Sequence, residues 1–291
     1  MASVDANGIT IEYDIRGEST GEPLLLVMGL GAQLTDWPSD FVDLLVDEGF
    51  RVIRLDNRDA GLSTSFDWEP PTMAKMAAMS LTRRKPDTGY HLRDMAVDAA
   101  ALLDALDIGS AHVAGASMGG MIAQTMAIQH PARVRSLTSI MSTTGDRKAG
   151  RPEPRLLAKA ARLPPPSRET AVDRAVEMFK LVGGGEFDES EFRARAASNV
   201  ERSYRPEGTA RQLTAIMAAP DRTAALARVS APTLVVHGLV DPLVRPSGGV
   251  ATAEAVPGSR LVMYPGMGHD LPRSRWPELV AAISRNAQRA G

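Results

Sequence analysis

Ser117 stands at the centre of Gly115-Ala116-Ser117-Met118-Gly119, directly after the strand-like His112-Val113-Ala114 and at the head of a helix-like run over 118–129. A serine in a sharp strand-to-helix turn has its hydroxyl pushed out of the sheet, where it can attack a carbonyl. Glycine two residues to either side leaves room for that turn. The hydroxyl is a weak nucleophile at neutral pH, so a base must take its proton. Of the five histidines, His269 in Gly266-Met267-Gly268-His269 is best placed, in a flexible loop after the last strand-like run and before the final helix. His237 ends a strand, His112 begins one, His130 precedes Pro131 at a helix end and His91 lies in a loop; these four read as structural. An acid must hold one imidazole tautomer and stabilise the imidazolium. Asp241, at the end of the 233–237 strand and before Pro242, fits that role, against the alternative of an ordinary Asp-Pro turn. Asp146, after the 136–141 run, is the reserve acid.

Acyl transfer through Ser117 also needs donors aimed at the oxyanion of the tetrahedral intermediate. The Met118 N–H, next to the nucleophile at a helix N-terminus, is one. The turn Met28-Gly29-Leu30-Gly31 supplies the other, and the Leu30 N–H is the favoured donor. Asp56-Asn57-Arg58-Asp59-Ala60-Gly61-Leu62-Ser63 is dense in charge but reads as a structural turn, with Arg58 satisfying buried carbonyls. Met73, Met76 and Met79, beside Arg83-Arg84-Lys85, read as a core stripe or pocket wall rather than an interfacial helix.

These residues need a frame. Asn7-Gly8 between two alternating runs predicts an antiparallel hairpin with a type I′ turn. Apolar runs at 24–27, 51–55, 112–114, 136–141, 233–237 and 261–264 read as strands buried on both faces, with helical patterns at 41–48, 92–106, 118–129 and 276–286 between them. The alternation predicts a doubly wound, mostly parallel eight-stranded α/β sheet with an antiparallel N-terminal edge. The rhythm stops after Met141 and resumes at Thr233. Helical stretches at 168–182 and 189–199, punctuated by Pro164-Pro165-Pro166 and Gly183-Gly184-Gly185, lie in the gap. Residues 145–225 are therefore expected to form a helical lid inserted into a core of 1–144 and 226–291, with Leu156, Met178, Phe179, Leu181 and Met217 contributing wall.

Composition narrows the function classes. A chain of 291 residues with 44% hydrophobic and 23% charged residues can bury a large core. A formal charge of −2 offers no broad positive field for nucleic acid or anionic lipid. Without cysteine there is no thiolate metal site, disulfide or catalytic thiol. No stretch approaches a membrane-spanning length and the N-terminus lacks a signal pattern, so the protein is expected to be cytoplasmic.

With these motifs in hand, the chain resembles the α/β-hydrolase superfamily over nearly its whole length apart from the lid. Leu24-Leu25-Leu26-Val27-Met28-Gly29, Trp37-Pro38, the 56–63 turn and Gly266-Met267-Gly268-His269 resemble the aclacinomycin methylesterase group and related actinobacterial lipases and esterases. The resemblance implies Ser117, Asp241 and His269 as a triad, the Leu30 and Met118 amides as oxyanion donors, and no need for a metal or organic cofactor. Met28 stands where many members have His, and Ala116 where His is frequent. The function expected is hydrolysis of a carboxylic ester of a medium-sized, largely apolar small molecule through an acyl-enzyme on Ser117. The alternatives are a cofactor-free haloperoxidase or perhydrolase using the same triad, and a ligand-binding protein on this scaffold. A carboxylate-nucleophile dehalogenase or epoxide hydrolase is disfavoured by the serine at the elbow.

Overall fold

The computed structural model describes residues 1–82 and 84–291; Arg83 of the Arg83-Arg84-Lys85 run lies outside the described residues. Asn7 and Gly8 adopt φ of +52° and +73°, the backbone that a type I′ hairpin turn requires. They join β1 (Ala2–Ala6) to β2 (Ile9–Arg16), which pair antiparallel. The six apolar runs all become strands: β3 (Glu22–Val27), β4 (Phe50–Leu55), β5 (Ala111–Ala116), β6 (Val134–Ile140), β7 (Thr233–Gly238) and β8 (Arg260–Tyr264). The spatial order is β1-β2-β4-β3-β5-β6-β7-β8, parallel from β4 to β8. The eight-stranded α/β sheet expected from the sequence is thus present.

Eleven α-helices connect these strands among the described residues: α1 (Ser39–Asp47), α2 (Met73–Thr82), α3 (Leu92–Ala105), α4 (Met118–Gln129), α5 (Pro154–Ala160), α6 (Ala171–Val182), α7 (Glu189–Arg202), α8 (Pro206–Ala218), α9 (Thr223–Leu226), α10 (Ser247–Ala255) and α11 (Trp276–Ala287). The sheet separates two apolar layers. On one face α3 and α4 cover Leu25, Val27, Ile53, Leu55 and Val113; on the other, α1 and α11 cover Leu24, Leu26, Val52, Leu234 and Val236. Adjacent strand residues thus bury opposite faces, which is why the runs are continuously apolar. Each such leucine or valine contributes on the order of 1.5–3 kcal/mol when fully buried.

Helices α5 to α9 all fall between β6 and β7, in the stretch where the strand rhythm is absent. Of the three methionines in α2, Met76 is buried and Met73 is exposed, so the stripe is only partly a core face. Among the described residues, no helix is long and apolar enough to cross a membrane.

Candidate active site

Strand β5 ends at Ala116 and α4 begins at Met118, leaving Ser117 alone to make the turn with φ +56° and ψ −119°. Such a conformation in a non-glycine residue costs on the order of 1–3 kcal/mol and persists because its surroundings impose it. Here they do: the Ser117 N–H donates to the Ile140 carbonyl at 2.9 Å, and Ser142 Oγ donates to the Ser117 carbonyl at 2.8 Å. The flanking glycines are sterically required. A β-carbon at Gly115 would lie 2.1 Å from the Gly119 carbonyl oxygen, and one at Gly119 would lie 2.0 Å from that of Val27.

His269 approaches from the loop after β8. Its Nε2 is 2.9 Å from Ser117 Oγ and its Nδ1 is 2.8 Å from Asp241 Oδ2. Burial works against a charge on Asp241, but bonds from the imidazoles of His237 and His269 outweigh it, and its carboxyl titrates below the ordinary carboxylate range. An ionised Asp241 can only accept, so Nδ1 bears the proton and Nε2 presents a bare lone pair to the Ser117 hydroxyl. Asp241 also makes the turn that was its alternative reading: Oδ1 accepts the N–H groups of Leu243 and Val244 at 2.8 and 2.9 Å. One oxygen fixes the loop and the other faces His269.

Among the described residues, no other histidine hydrogen-bonds to Ser117. His112 is buried against Ser136 Oγ at 2.8 Å, His91 caps α3 and His130 ends α4. His237 is fully buried, its Nε2 donating to the Val244 carbonyl at 2.7 Å and lying 3.5 Å from Asp241 Oδ2. Asp146 accepts the Lys148 N–H and stays in the turn after β6.

The turn after β3 lies directly against Ser117, since a β-carbon on Gly29 would be 3.2 Å from Ser117 Cβ. Among the described residues, neither the Leu30 N–H nor the Met118 N–H meets an acceptor. Of these two N–H groups, that of Met118 lies at the positive end of α4 beside Ser117 in the chain, and that of Leu30 lies in the turn packed against the serine.

The segment between β6 and β7 is tied to every loop around this serine. The His269 N–H donates to the Val182 carbonyl at 2.7 Å, and the Gly184 N–H to Asp270 Oδ2 at 2.9 Å. Gly183-Gly184-Gly185, read in the sequence only as punctuation, allows this: a β-carbon at Gly184 would sit 2.0 Å from the Gly266 carbonyl oxygen, and one at Gly268 would sit 2.5 Å from that of Val182. Asp270, buried beside His269, also accepts the Gly268 N–H at 2.8 Å; burial raises its carboxyl above the ordinary range, against the pull of those two N–H groups. On the opposite side Arg211 of α8 grips Asp59 by Nε–Oδ2 and Nη2–Oδ1 contacts of 3.0 and 2.9 Å, and Arg202 of α7 reaches Asp56 Oδ2 at 2.8 Å. The 56–63 turn is accordingly a buried charge network, with Arg58 bound to both Asp98 oxygens at 2.6 and 2.7 Å rather than chiefly to carbonyls. Phe179, expected as wall, packs into an aromatic trio with Phe187 and Phe192 at 4.8 and 4.4 Å.

An eight-stranded sheet with a serine at its β5 turn, faced by an imidazole on the loop after β8, defines a class. The chain belongs to the alpha/beta hydrolase fold family, which matches residues 22–272. Within that class it is 30% identical to rhodomycin D methylesterase DauP of Streptomyces sp. (strain C5), over 97% of this chain and 96% of the relative. It superposes on a thermophilic esterase from Thermogutta terrifontis with a TM-score of 0.70 and 26% identity, covering 100% of this chain and 99% of that one. The enol-lactonase from Burkholderia xenovorans LB400 superposes with a TM-score of 0.73 at 22% identity, over 99% and 100% of the two chains, a likeness of fold alone. The motif-based resemblance to the methylesterase group and the expected class of carboxylic ester hydrolase both agree with these relatives.

Proposed function

We propose that the protein hydrolyses a carboxylic ester of a medium-sized, largely apolar small molecule through an acyl-enzyme on Ser117, and that methyl esters, with methanol as the leaving alcohol, are the first substrates to test. The observation that carries this reading is the chain Asp241–His269–Ser117, bonded at 2.8 and 2.9 Å beside two unengaged N–H groups. In it, His269 Nε2 takes the hydroxyl proton as Ser117 Oγ adds to the carbonyl carbon, and Asp241 stabilises the imidazolium. Negative charge gathers on the former carbonyl oxygen, where the Leu30 and Met118 N–H groups receive it. The imidazolium returns the proton to the departing alkoxide, leaving an acyl-Ser117 that water, activated by the same imidazole, cleaves to acid and serine. The methylesterase activity in the name of the 30%-identical relative supports the ester and the methyl group.

Residues 145–225 act as the lid of this site, a reading supported by the bonds from Val182 and Gly184 to the His269 loop. A mostly apolar wall contributed by such residues as Leu156, Met178, Leu181 and Met217 would favour substrates that shed little hydration on entry.

Two measurements test the proposal. A fluorophosphonate probe labels the native chain and not Ser117→Ala; equal labelling of both overturns the nucleophile. In a series of methyl esters of increasing acyl size, kcat/KM rises beyond acetate, and a steady decline from acetate onwards overturns the apolar lid. Peroxide-dependent bromination in acetate that outruns ester hydrolysis replaces this reading with acyl transfer to peroxide.

A further inference from the structure

We infer that Gln212, on α8, is a positioning residue for the oxyanion-binding turn, so that residues 145–225 supply part of the catalytic machinery as well as its cover. The inference rests on the ester-hydrolase reading above.

Gln212 is fully buried, and its side-chain amide spans two backbone groups. Its Oε1 accepts the Gly31 N–H at 2.7 Å, and its Nε2 donates to the Arg58 carbonyl at 2.7 Å. Gly31 belongs to a tight turn in which the Ala32 N–H donates to the Gly29 carbonyl at 3.3 Å, with φ of +68° at Gly31. The peptide at the centre of such a turn has two orientations related by a flip, one needing positive φ at the third residue. Gln212 binds the N–H that only one of them presents; the flipped peptide would aim the Leu30 carbonyl at Gln212 Oε1, acceptor against acceptor. The donor proposed for the oxyanion, the Leu30 N–H, sits on the first peptide of the same turn.

Helix α8 is held where this bond requires it. Arg211, the preceding residue, grips Asp59, and a β-carbon on Gly208 would lie 2.2 Å from the Asp59 carbonyl oxygen. On the facing side a β-carbon on Gly31 would lie 2.7 Å from Thr209 Oγ1. Backbone therefore meets α8 at both ends of the amide, and a side chain with one acceptor and one donor at that spacing is what the gap accommodates.

The test uses the full chain. Gln212→Met keeps length and removes both bonds; it lowers kcat by about 10- to 100-fold, less than deletion of a whole oxyanion donor, and changes KM by no more than about 2-fold. Affinity for a trifluoromethyl ketone, whose adduct with Ser117 carries the oxyanion, falls by the same factor as kcat/KM. Gln212→Glu offers the same acceptor and donor only while its carboxyl is protonated, so its kcat falls towards alkaline pH where that of the native chain does not. A folded Gln212→Met with native kcat, or with its loss confined to KM, or with native affinity for the ketone, overturns the inference. Should Gln212→Met not fold, a native pH profile in Gln212→Glu does so. A native chain that resists the fluorophosphonate and hydrolyses no ester fails at the underlying reading instead, which separates the two outcomes.

Discussion

His269 and His237 both address Asp241, at 2.8 and 3.5 Å, yet the surroundings give them different work. His269 has its second nitrogen on Ser117 Oγ, whereas the Nε2 of His237 is engaged by the Val244 carbonyl and the residue is fully enclosed. Replacing His269 by alanine removes the base, and turnover is expected to fall by on the order of 10⁴-fold or more. His237→Ala leaves a buried carbonyl without its donor and costs about 1–3 kcal/mol of stability, while kcat/KM changes by less than about 10-fold. Steady-state kinetics and denaturant melts of the two variants check this. A turnover loss as severe in His237→Ala as in His269→Ala would falsify the division of roles.

At the scale of elements, the α7–α8 region is fastened by ions and the His269 loop by backbone. Arg211 leaves Asp59 as a fully buried carboxylate with charge matched, and Tyr90 OH donates to the same group at 2.7 Å. Arg211→Met strips the counter-charge and is expected to destabilise the protein by about 3–5 kcal/mol, since an unpaired buried charge is worse than none. The double variant Arg211→Met with Asp59→Asn recovers part of that loss. Chemical denaturation measures both, and an unshifted midpoint for the single variant would show the pair to be idle. Such joints mark where the sequence is mute. The strands, the hairpin, the elbow and the loop positions of Asp241 and His269 were readable because period, glycine spacing and chain order are local properties. Asp56 and Asp59 find their cations in α7 and α8, more than 140 residues away, and Gln212 in isolation is one polar residue on a helix. Helix α10 was missed because Gly248-Gly249 disfavours a helix; the two glycines are explained by packing, a β-carbon on Gly249 meeting His237 Nδ1 at 2.6 Å.

For the whole molecule, the acid sensitivity of stability is expected to arise at the end of the sheet remote from Ser117. His112 opens β5, at the end remote from Ser117, with Phe50 edge-on to its ring at 5.9 Å. Burial, reinforced by Arg135 and opposed by Glu22, lowers its pKa from the ordinary 6.5 to about 4. A depressed folded-state value means that the unfolded chain binds the proton first. The stability contribution is therefore complete above pH 6.5 and is lost as pH falls towards about 4. By pH 5 the native chain is expected to have lost about 1–2 kcal/mol from this group, a loss that His112→Gln does not show. Thermal melts between pH 7 and 5 test it, and parallel melting curves for the two chains would exclude His112 as the source.

The uneven fastening of residues 145–225 bears on how the substrate range of this protein could be changed in the laboratory. In α5 only Leu156 is buried and Leu157 is more than half exposed, whereas in α8 Gly208, Arg211, Gln212, Thr214, Ala215 and Ala218 are all enclosed. A library randomised across 154–160 alters mostly exposed positions of this segment on an intact scaffold. One randomised across 206–218 is expected mostly to return inactive or unfolded chains, because those positions belong to the buried framework. Grafting helices from a relative meets the same boundary: α5 can be exchanged by itself, whereas α8 has to travel together with the 29–31 and 56–63 turns it grips.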